Sequence, residues 1–412
     1  MYCNIPLEQA QELLLSCVRP PVVEEAAILE ALGRVLARDI YSVEDIPPFD
    51  RSPLDGYALR AKDTEEASAD FPARLKVIAE LPAGLVWPIP LYSGTAIKIM
   101  TGAPIPPGAN AIIKMEDVEL FDNEILIRTA LKPGSNIIRA GEDVKRGELV
   151  LKKDTLLNAG GIGMLAAVNR STIPVFEKPK VAVICTGEEL VELGAFRGPG
   201  KIRNSNLYAV SAAVIEAGGR PVLIGTAPDR LEEISKAMER GLEQADLVVT
   251  TGGASVGEYD LIAEAYKKIN SEILFRKVAV KPGTPTLAAK RSSQVLVGLS
   301  GNPAAALIGF EFLVRPLIKF MSGAPDCFRP RIDAVMAEDF NKAGGTRRFL
   351  RAVIKKNEGS YHVFLAGKQS PGILKSILYS NALIDVPEDS GPLLAGQRVE
   401  AIILAESEVF IP

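Results

Sequence analysis

The sequence predicts a multidomain protein of the α/β plus β class. It should contain a mostly parallel three-layer α/β domain, a small β domain, a helical and extended connector, and a C-terminal β-barrel. Three observations carry this. Residues 180–322 alternate short apolar runs with helical patterns, as crossover βαβ units do. Residues 47–144 are rich in Pro, Gly and short β-like runs, with weak helical periodicity. Residues 330–412 return to short β runs punctuated by Gly344-Gly345, Gly359, Gly391 and Gly396, the pattern of a small barrel or sandwich. The expected boundaries are a discontinuous connector over 1–46 and 145–178, the small β domain over 47–144, the α/β domain over 179–323, and the barrel over 330–412.

Taken in order, the chain opens with an amphipathic helix around Leu7 to Cys17, where Glu8 and Glu12 stand beside leucines. It reads as a mature helix and not as a signal peptide, which would need a basic leader. Pro20-Pro21 breaks it. In the small β domain the strand-like runs are Leu75–Ala79, Thr95–Met100, Ala111–Lys114 and Glu124–Thr129. A Gly-rich helical piece, Asn158 to Val168, lies in the connector, and Lys178-Pro179 marks the next boundary. The α/β region then offers strands at Lys180–Cys185, Pro221–Gly225, Leu247–Val249, Lys277–Val280 and Val295–Leu299. Helices are expected up to Ala217, from Leu231 to Gln244, up to Ile269 and up to Met321. The barrel runs are Ile332–Met336, Phe349–Lys355, His362–Ala366, Ala382–Val386 and Val399–Leu404.

Composition narrows the function. Over 412 residues the chain is 47% hydrophobic and 24% charged, ordinary globular values, and its net charge of −4 gives no electrostatic case for nucleic acid. No stretch is long and apolar enough to span a membrane. Cys3, Cys17, Cys185 and Cys327 are scattered without a Cys-x-x-Cys, which points to free thiols in a reducing cytoplasm. The single histidine, His362, excludes metal sites that need two within one chain, and with no nucleophile elbow near it the residue reads as structural. Acid–base or metal chemistry must therefore rest on carboxylates, lysines and backbone.

The stretch from Asp246 to Asp260 carries the strongest signal of a site. A buried strand ends in Thr250-Thr251, two glycines follow, then Ser255, Gly257 and Asp260 before a helix start. Two glycines alone would be a tight turn; hydroxyls and an acid beside them favour a ligand held on bare backbone. Glu189, Asp229, Gly252, Gly253, Ser255, Asp260 and Gly301 all follow expected strands, where open α/β sheets bind ligands. Neither a Gly-x-Gly-x-x-Gly fingerprint nor a Walker loop is present, which argues against dinucleotide enzymes and P-loop NTPases. Several carboxylates beside a phosphate-type loop suit Mg²⁺. Lys277 and Lys281 could bind an anion or be solvated strand-edge residues. In the small β domain, Asp50 to Ala58, Met100 to Pro104 and Gly141 to Asp143 gather acids and hydroxyls in loops. Turn chemistry alone accounts for each singly.

Several of these motifs recur together in a known family. Ser52-Pro53-Leu54-Asp55-Gly56-Tyr57-Ala58, Met100–Pro104, Gly141-Glu142-Asp143 and Thr186–Leu190 stand in order. Thr251-Gly252-Gly253-Ala254-Ser255-Val256-Gly257 with Asp260, Lys281-Pro282-Gly283 and Gly301-Asn302-Pro303 follow them. In these motifs the chain resembles the molybdopterin molybdenumtransferase family, the bacterial relatives of the gephyrin E domain, from about Leu7 to the C-terminus.

The resemblance implies an enzyme that inserts molybdenum from molybdate into adenylylated molybdopterin and releases AMP with Mg²⁺. It implies a cytoplasmic homodimer of four-domain subunits, with each site shared between the α/β domain of one subunit and the small β domain of the other. It also implies a transient contact with the molybdopterin adenylyltransferase. By motif, Asp55, Thr101 and Asp143 would serve catalysis from the β domain, with Glu189, Asp229 and Asp260 from the α/β domain. Glu189 and Asp260 would hold the metal. Gly252, Gly253, Ser255, Lys277, Lys281, Gly301, Asn302 and Pro303 would bind substrate, joined by Arg351 and Ser376 from the C-terminal domain, where the match is looser. The chain departs from the family's usual residues at Arg51-Ser52-Pro53-Leu54, Glu188, Thr284 and Gln369-Ser370-Pro371-Gly372. A tungsten insertase, an adenylyltransferase-like activity of the α/β domain and a non-enzymatic scaffold stand as alternatives, the last weakened by the absence of a fused partner domain.

Overall fold

The computed structural model describes residues 4–252, 259–342, 344–357 and 359–404, with the side chains of Tyr259 and Asp260 outside that description. The chain forms two compact units. One comprises Ala27–Leu32 and Arg38–Ile173; the other comprises Met1–Ala26, Gly33–Ala37 and Pro174–Pro412.

The smaller unit is built on one six-stranded sheet. Its strands are β1 (Gly56–Leu59), β2 (Ala73–Leu81), β3 (Thr95–Ile99), β4 (Ala111–Lys114), β5 (Val118–Phe121) and β6 (Glu124–Ile127), in the order β4-β1-β3-β2-β6-β5. Side-chain alternation explains why it is buried on both faces. Tyr57, Leu59, Ile113 and Ile125 fill one core, while Ala58, Ile97, Ile99 and Ile112 fill the other. The helix Ala159–Ala167 lies in the same unit, capped where Gly161 donates its N–H to the Asn158 side chain at 2.9 Å.

The larger unit holds a second six-stranded sheet: β7 (Lys180–Thr186), β8 (Arg220–Ala227), β9 (Leu247–Thr251), β10 (Glu272–Phe275), β11 (Leu287–Arg291) and β12 (Gln294–Leu299). Their order is β8-β7-β9-β12-β11-β10. The first four in that order run parallel; β11 and β10 are antiparallel additions at one edge. Helices α1 (Ser205–Glu216), α2 (Leu231–Gln244), α3 (Tyr259–Lys268), α4 (Pro303–Gly309) and α5 (Arg315–Met321) cover it, with a π-helical turn over Phe310–Val314 joining the last two.

The three layers follow from the strands' two-residue period. Val181, Val183, Leu247, Val249, Val295 and Val297 point to one side, where Val210 and Val214 of α1, the α4–α5 segment and the N-terminal helix Leu7–Leu15 cover them. Ala182, Ile184, Val248 and Leu296 point to the other, against Ile234 and Met238 of α2 and Ile262 and Tyr266 of α3. Helix α2 buries Ile234, Ala237, Met238, Gly241 and Leu242, a helical stripe of the i, i+3, i+4, i+7, i+8 kind. Each fully buried Val or Ile contributes about 1.5–3 kcal/mol, so the sheet's two cores anchor the unit.

The expected strand Lys277–Val280 is not one. The strand lies upstream, at β10, and 277–286 is irregular, touched only by isolated bridges, Ile5 to Val278 and Lys281 to Arg348. Strand β11, which the sequence reading missed, pairs antiparallel with the expected β12 and joins β10 to the sheet.

Strands β13 (Arg331–Met336), β14 (Arg348–Asn357), β15 (Ser360–Leu365), β16 (Ala382–Val386) and β17 (Arg398–Ile403) close into a barrel, in the order β13-β15-β14-β16-β17. It packs on the α/β layer within the same unit: the rings of Phe312 and Phe349 lie 4.2 Å apart, and Lys281 bridges to Arg348. His362 sits on β15 and shares a 3.0 Å hydrogen bond with Ser360.

Candidate functional site: a glycine-lined cleft on the parallel sheet

Strands β7, β8, β9 and β12 are parallel, so their carboxyl ends open on one edge. There the chain turns at Thr186-Gly187, Asp229, Thr251-Gly252 and Ser300-Gly301, and a cleft of about 450 Å³ lies between these turns. Glu189, Arg203, Asn204, Asn206, Asn302, Pro303 and Gly372 are among its other lining residues.

The turns can sit this close only with glycine. Gly252 has φ +104°, and a Cβ on it would fall 2.2 Å from the Thr186 carbonyl oxygen. A Cβ on Gly301 would in turn lie 3.2 Å from the Gly252 Cα. The result is a floor of exposed peptide backbone, the surface on which phosphate oxygens can be held.

Carboxylates stand at its rim. Glu189 is folded back over Gly187, where a Cβ would come within 2.6 Å of Oε2. Asp229 accepts the Glu188 N–H at 3.2 Å, and Ile202 donates its N–H to the Glu189 carbonyl at 2.9 Å. Lys201 Nζ donates to the Glu188 carbonyl at 2.5 Å. These bonds fix the Glu188-Glu189 loop and tie it to Asp229 on the neighbouring loop. No group of three or more His, Cys, Asp or Glu able to hold a metal occurs among the described residues. A pair of carboxylates completed by substrate phosphates and water is nevertheless an ordinary Mg²⁺ arrangement, and Glu189 and Asp229 both line this cleft.

Two asparagines enter that sequence reasoning left out of the site. Asn204, fully buried, accepts the Leu207 N–H at 3.1 Å and donates to Thr226 Oγ1 at 2.9 Å. It caps α1 and ties it to β8. Asn206 donates to the Gly301 carbonyl at 2.8 Å and so joins α1 to the floor. An Asn-Ser-Asn run at a helix start signals a cap; both asparagines line the cleft, and the second, two positions on, is the one bonded to its floor.

The other expected residues are distributed as follows. Gly252, Gly301, Asn302, Pro303, Glu189 and Asp229 are brought together. Gly253, Ser255 and the Asp260 side chain lie outside the described residues. Lys277 and Lys281 are exposed on the irregular segment and do not line the cleft. Arg351 is fully enclosed; Nη2 donates to the Lys368 and Ser370 carbonyls at 3.1 Å each, and burial holds its pKa down at about 10. Ser376 donates to the Ile373 carbonyl at 2.7 Å, beside a separate groove with Phe364 and Tyr379. In the smaller unit Thr101 and Asp55 are in contact, Thr101 donating its N–H and hydroxyl to Asp55 Oδ1 at 2.7 and 2.8 Å. Asp143 is exposed on a turn, its N–H bonded to the Ile46 carbonyl at 3.0 Å.

Fold and cleft together define an α/β ligand-binding enzyme whose site is made of bare peptide and carboxylates at the ends of parallel strands. Three family descriptions match in sequence. They are the MoeA N-terminal region (domain I and II) over 5–169, the probable molybdopterin binding domain over 182–319, and the MoeA C-terminal region (domain IV) over 333–404. The molybdopterin molybdenumtransferase of Bacillus subtilis is 36% identical over 98% of this chain and 94% of its own length. That of Staphylococcus epidermidis is 39% identical over 92% and 91%. The crystal structure of the Pyrococcus horikoshii molybdopterin biosynthesis MoeA protein aligns with a TM-score of 0.82 and 36% identity, covering 98% of this chain and all of that one. The chain belongs to the MoeA family of molybdopterin molybdenumtransferases, enzymes of molybdenum cofactor biosynthesis.

Proposed function

We propose that this enzyme inserts molybdenum from molybdate into adenylylated molybdopterin and releases AMP. The observation that carries the reading is the pairing of a bare-backbone floor, Gly252 and Gly301, with Glu189 and Asp229 at the rim of one cleft. That floor suits a phosphate-bearing ligand, and the acids suit a divalent ion over a diphosphate linkage. Mg²⁺, bound by Glu189 with Asp229 or Asp260, would offset charge gathering on the departing AMP phosphate. The chain's own part is orientation. Asn206 and Asn302 line the wall against which the substrate would lie; Lys277 and Lys281, exposed outside that lining, would offer fixed positive charge to molybdate from beyond the cleft.

We further propose that a cytoplasmic homodimer is the working form, with Asp55, Thr101 and Asp143 of a second copy completing each site. The fixed Asp55–Thr101 pair, exposed on its own unit, supports this. A passing contact with the molybdopterin adenylyltransferase would deliver the substrate.

Incubation with adenylylated molybdopterin, molybdate and Mg²⁺ tests the central reading. AMP and molybdenum-loaded molybdopterin should appear together, and EDTA should stop both. No AMP from folded protein would overturn it. Tungstate in competition decides between the metals. Mixing Asp55→Ala with Glu189→Ala protein should restore part of the activity; no recovery after confirmed subunit exchange would remove the shared site.

A further inference from the structure

The first turn of α4 is capped from outside its own domain. Ala304 and Ala305 donate their N–H groups to the Pro371 carbonyl, at 3.1 and 3.3 Å. Asn302 occupies the N-cap position yet makes no side-chain capping bond, and it lines the cleft instead. Asparagine is among the preferred caps, and a helix's opening amides need an acceptor. The Asn302 side chain is thus released from that duty because a barrel carbonyl performs it.

Pro371 is held by a latch on β14. Gln369 Oε1 accepts the Arg351 N–H at 2.8 Å, and Nε2 donates to the Arg351 carbonyl at 3.0 Å and to the Gly367 carbonyl at 3.1 Å. Its amide continues the ladder as a neighbouring strand would, just past the last β14–β15 pair, Ala352–Leu365. The Arg351 guanidinium grips the Lys368 and Ser370 carbonyls of the same loop. With 367, 368 and 370 drawn inward, the next carbonyl is the one that reaches α4. Gly372 follows it directly and lines the cleft beside Asn302.

We propose that Gln369 is a positioning residue. By pinning the 367–371 loop it makes Pro371 the cap of α4 and leaves the Asn302 amide free to hold substrate. This rests on the cleft being the substrate site. If the loop withdraws, the Ala304 and Ala305 amides recruit the Asn302 side chain, and the cleft loses it.

The test compares Gln369→Leu with Asn381→Leu. Asn381 bridges both main-chain groups of Ile354 on the same strand, at 2.7 and 3.2 Å, away from the loop. With adenylylated molybdopterin as the varied substrate, Gln369→Leu should raise KM about tenfold, the worth of roughly one hydrogen bond, with kcat within about twofold. Asn381→Leu should change neither. Gln369→Glu, which keeps the acceptor for the Arg351 N–H, should fall between wild type and Gln369→Leu, and it serves if the leucine variant does not fold. The double variant Gln369→Leu/Asn302→Ala should be no worse than Asn302→Ala alone.

Multiplying losses, or a Gln369→Leu protein that behaves like Asn381→Leu, would overturn the proposal. Hydrogen exchange of the free protein separates this from the substrate assignment. Ala304 or Ala305 should exchange faster in Gln369→Leu than in Asn381→Leu, whatever the substrate; equal rates would remove the latch. A wild type that turns over no adenylylated molybdopterin while showing that difference would fault only the substrate.

Discussion

Thr101 holds Asp55 by two donors on one oxygen: its backbone N–H at 2.7 Å and its hydroxyl at 2.8 Å both reach Oδ1. The pair spans the loop before β1 and the turn after β3, so the acid's orientation is set by strand geometry.

That grip, the backbone N–H foremost and the hydroxyl second, keeps the Asp55 carboxyl below its ordinary pKa. A depressed folded pKa favours the folded state above the unfolded value, and the benefit disappears as pH falls through the folded one. Thr101→Val keeps the N–H and loses the hydroxyl. Asp55 should then titrate higher, closer to an ordinary aspartate, in a carboxyl-carbon NMR titration. An unmoved titration would mean that the hydroxyl does not matter.

Glu189 is exposed at the rim and supports no core. Glu189→Gln should therefore leave the melting temperature within about 1–2 °C of wild type. Turnover should drop by roughly 100-fold or more if the charge is needed. Steady-state kinetics beside a thermal melt checks both halves.

Gly252→Ala and Gly187→Ala should fail differently. At Gly252 the added Cβ meets backbone, the Thr186 carbonyl, at 2.2 Å. Something in two strand ends must shift, at a cost of about 2–4 kcal/mol by denaturant titration. At Gly187 the Cβ meets the far end of Glu189, which can swing aside. That variant should be less destabilised and lose activity by displacing the acid.

The thiols give a check on the β7–β9 core. Burial pushes the Cys185 thiol up to about 11, against the opposing hydrogen bond from Thr251 at 3.2 Å. Cys17 and Cys327 are half-buried, and burial raises Cys327 as well. Reaction follows the thiolate. At pH 8, iodoacetamide should modify Cys17 first of these three and leave Cys185 untouched until the protein unfolds, as read by peptide mass spectrometry.

The barrel was legible because its strands alternate cleanly and glycine turns separate them; the expected Ala382–Val386 run is β16 as found. The edge of the α/β sheet was not. Lys277-Val278-Ala279-Val280-Lys281 alternates like a strand, and Val278 and Val280 are indeed buried. Pro282 and Pro285 break the segment on one side, however, and the ladder forms instead from Glu272–Phe275 and Leu287–Arg291. Of the cleft, the glycines and acids after strands could be read, since their placement follows from chain direction alone. Asn206 and Pro371 could not. One acts through a bond to a carbonyl 95 residues away. The other acts through a main-chain oxygen, which no side-chain pattern reports.

Five strands joined in a ring expose no lateral row of unpaired amides and carbonyls. A partner that meets these described strands does so through side chains and not by lengthening their sheet. Selection for new associations can thus rewrite the ring's outer face residue by residue, while the inward-facing set that keeps it closed stays as it is.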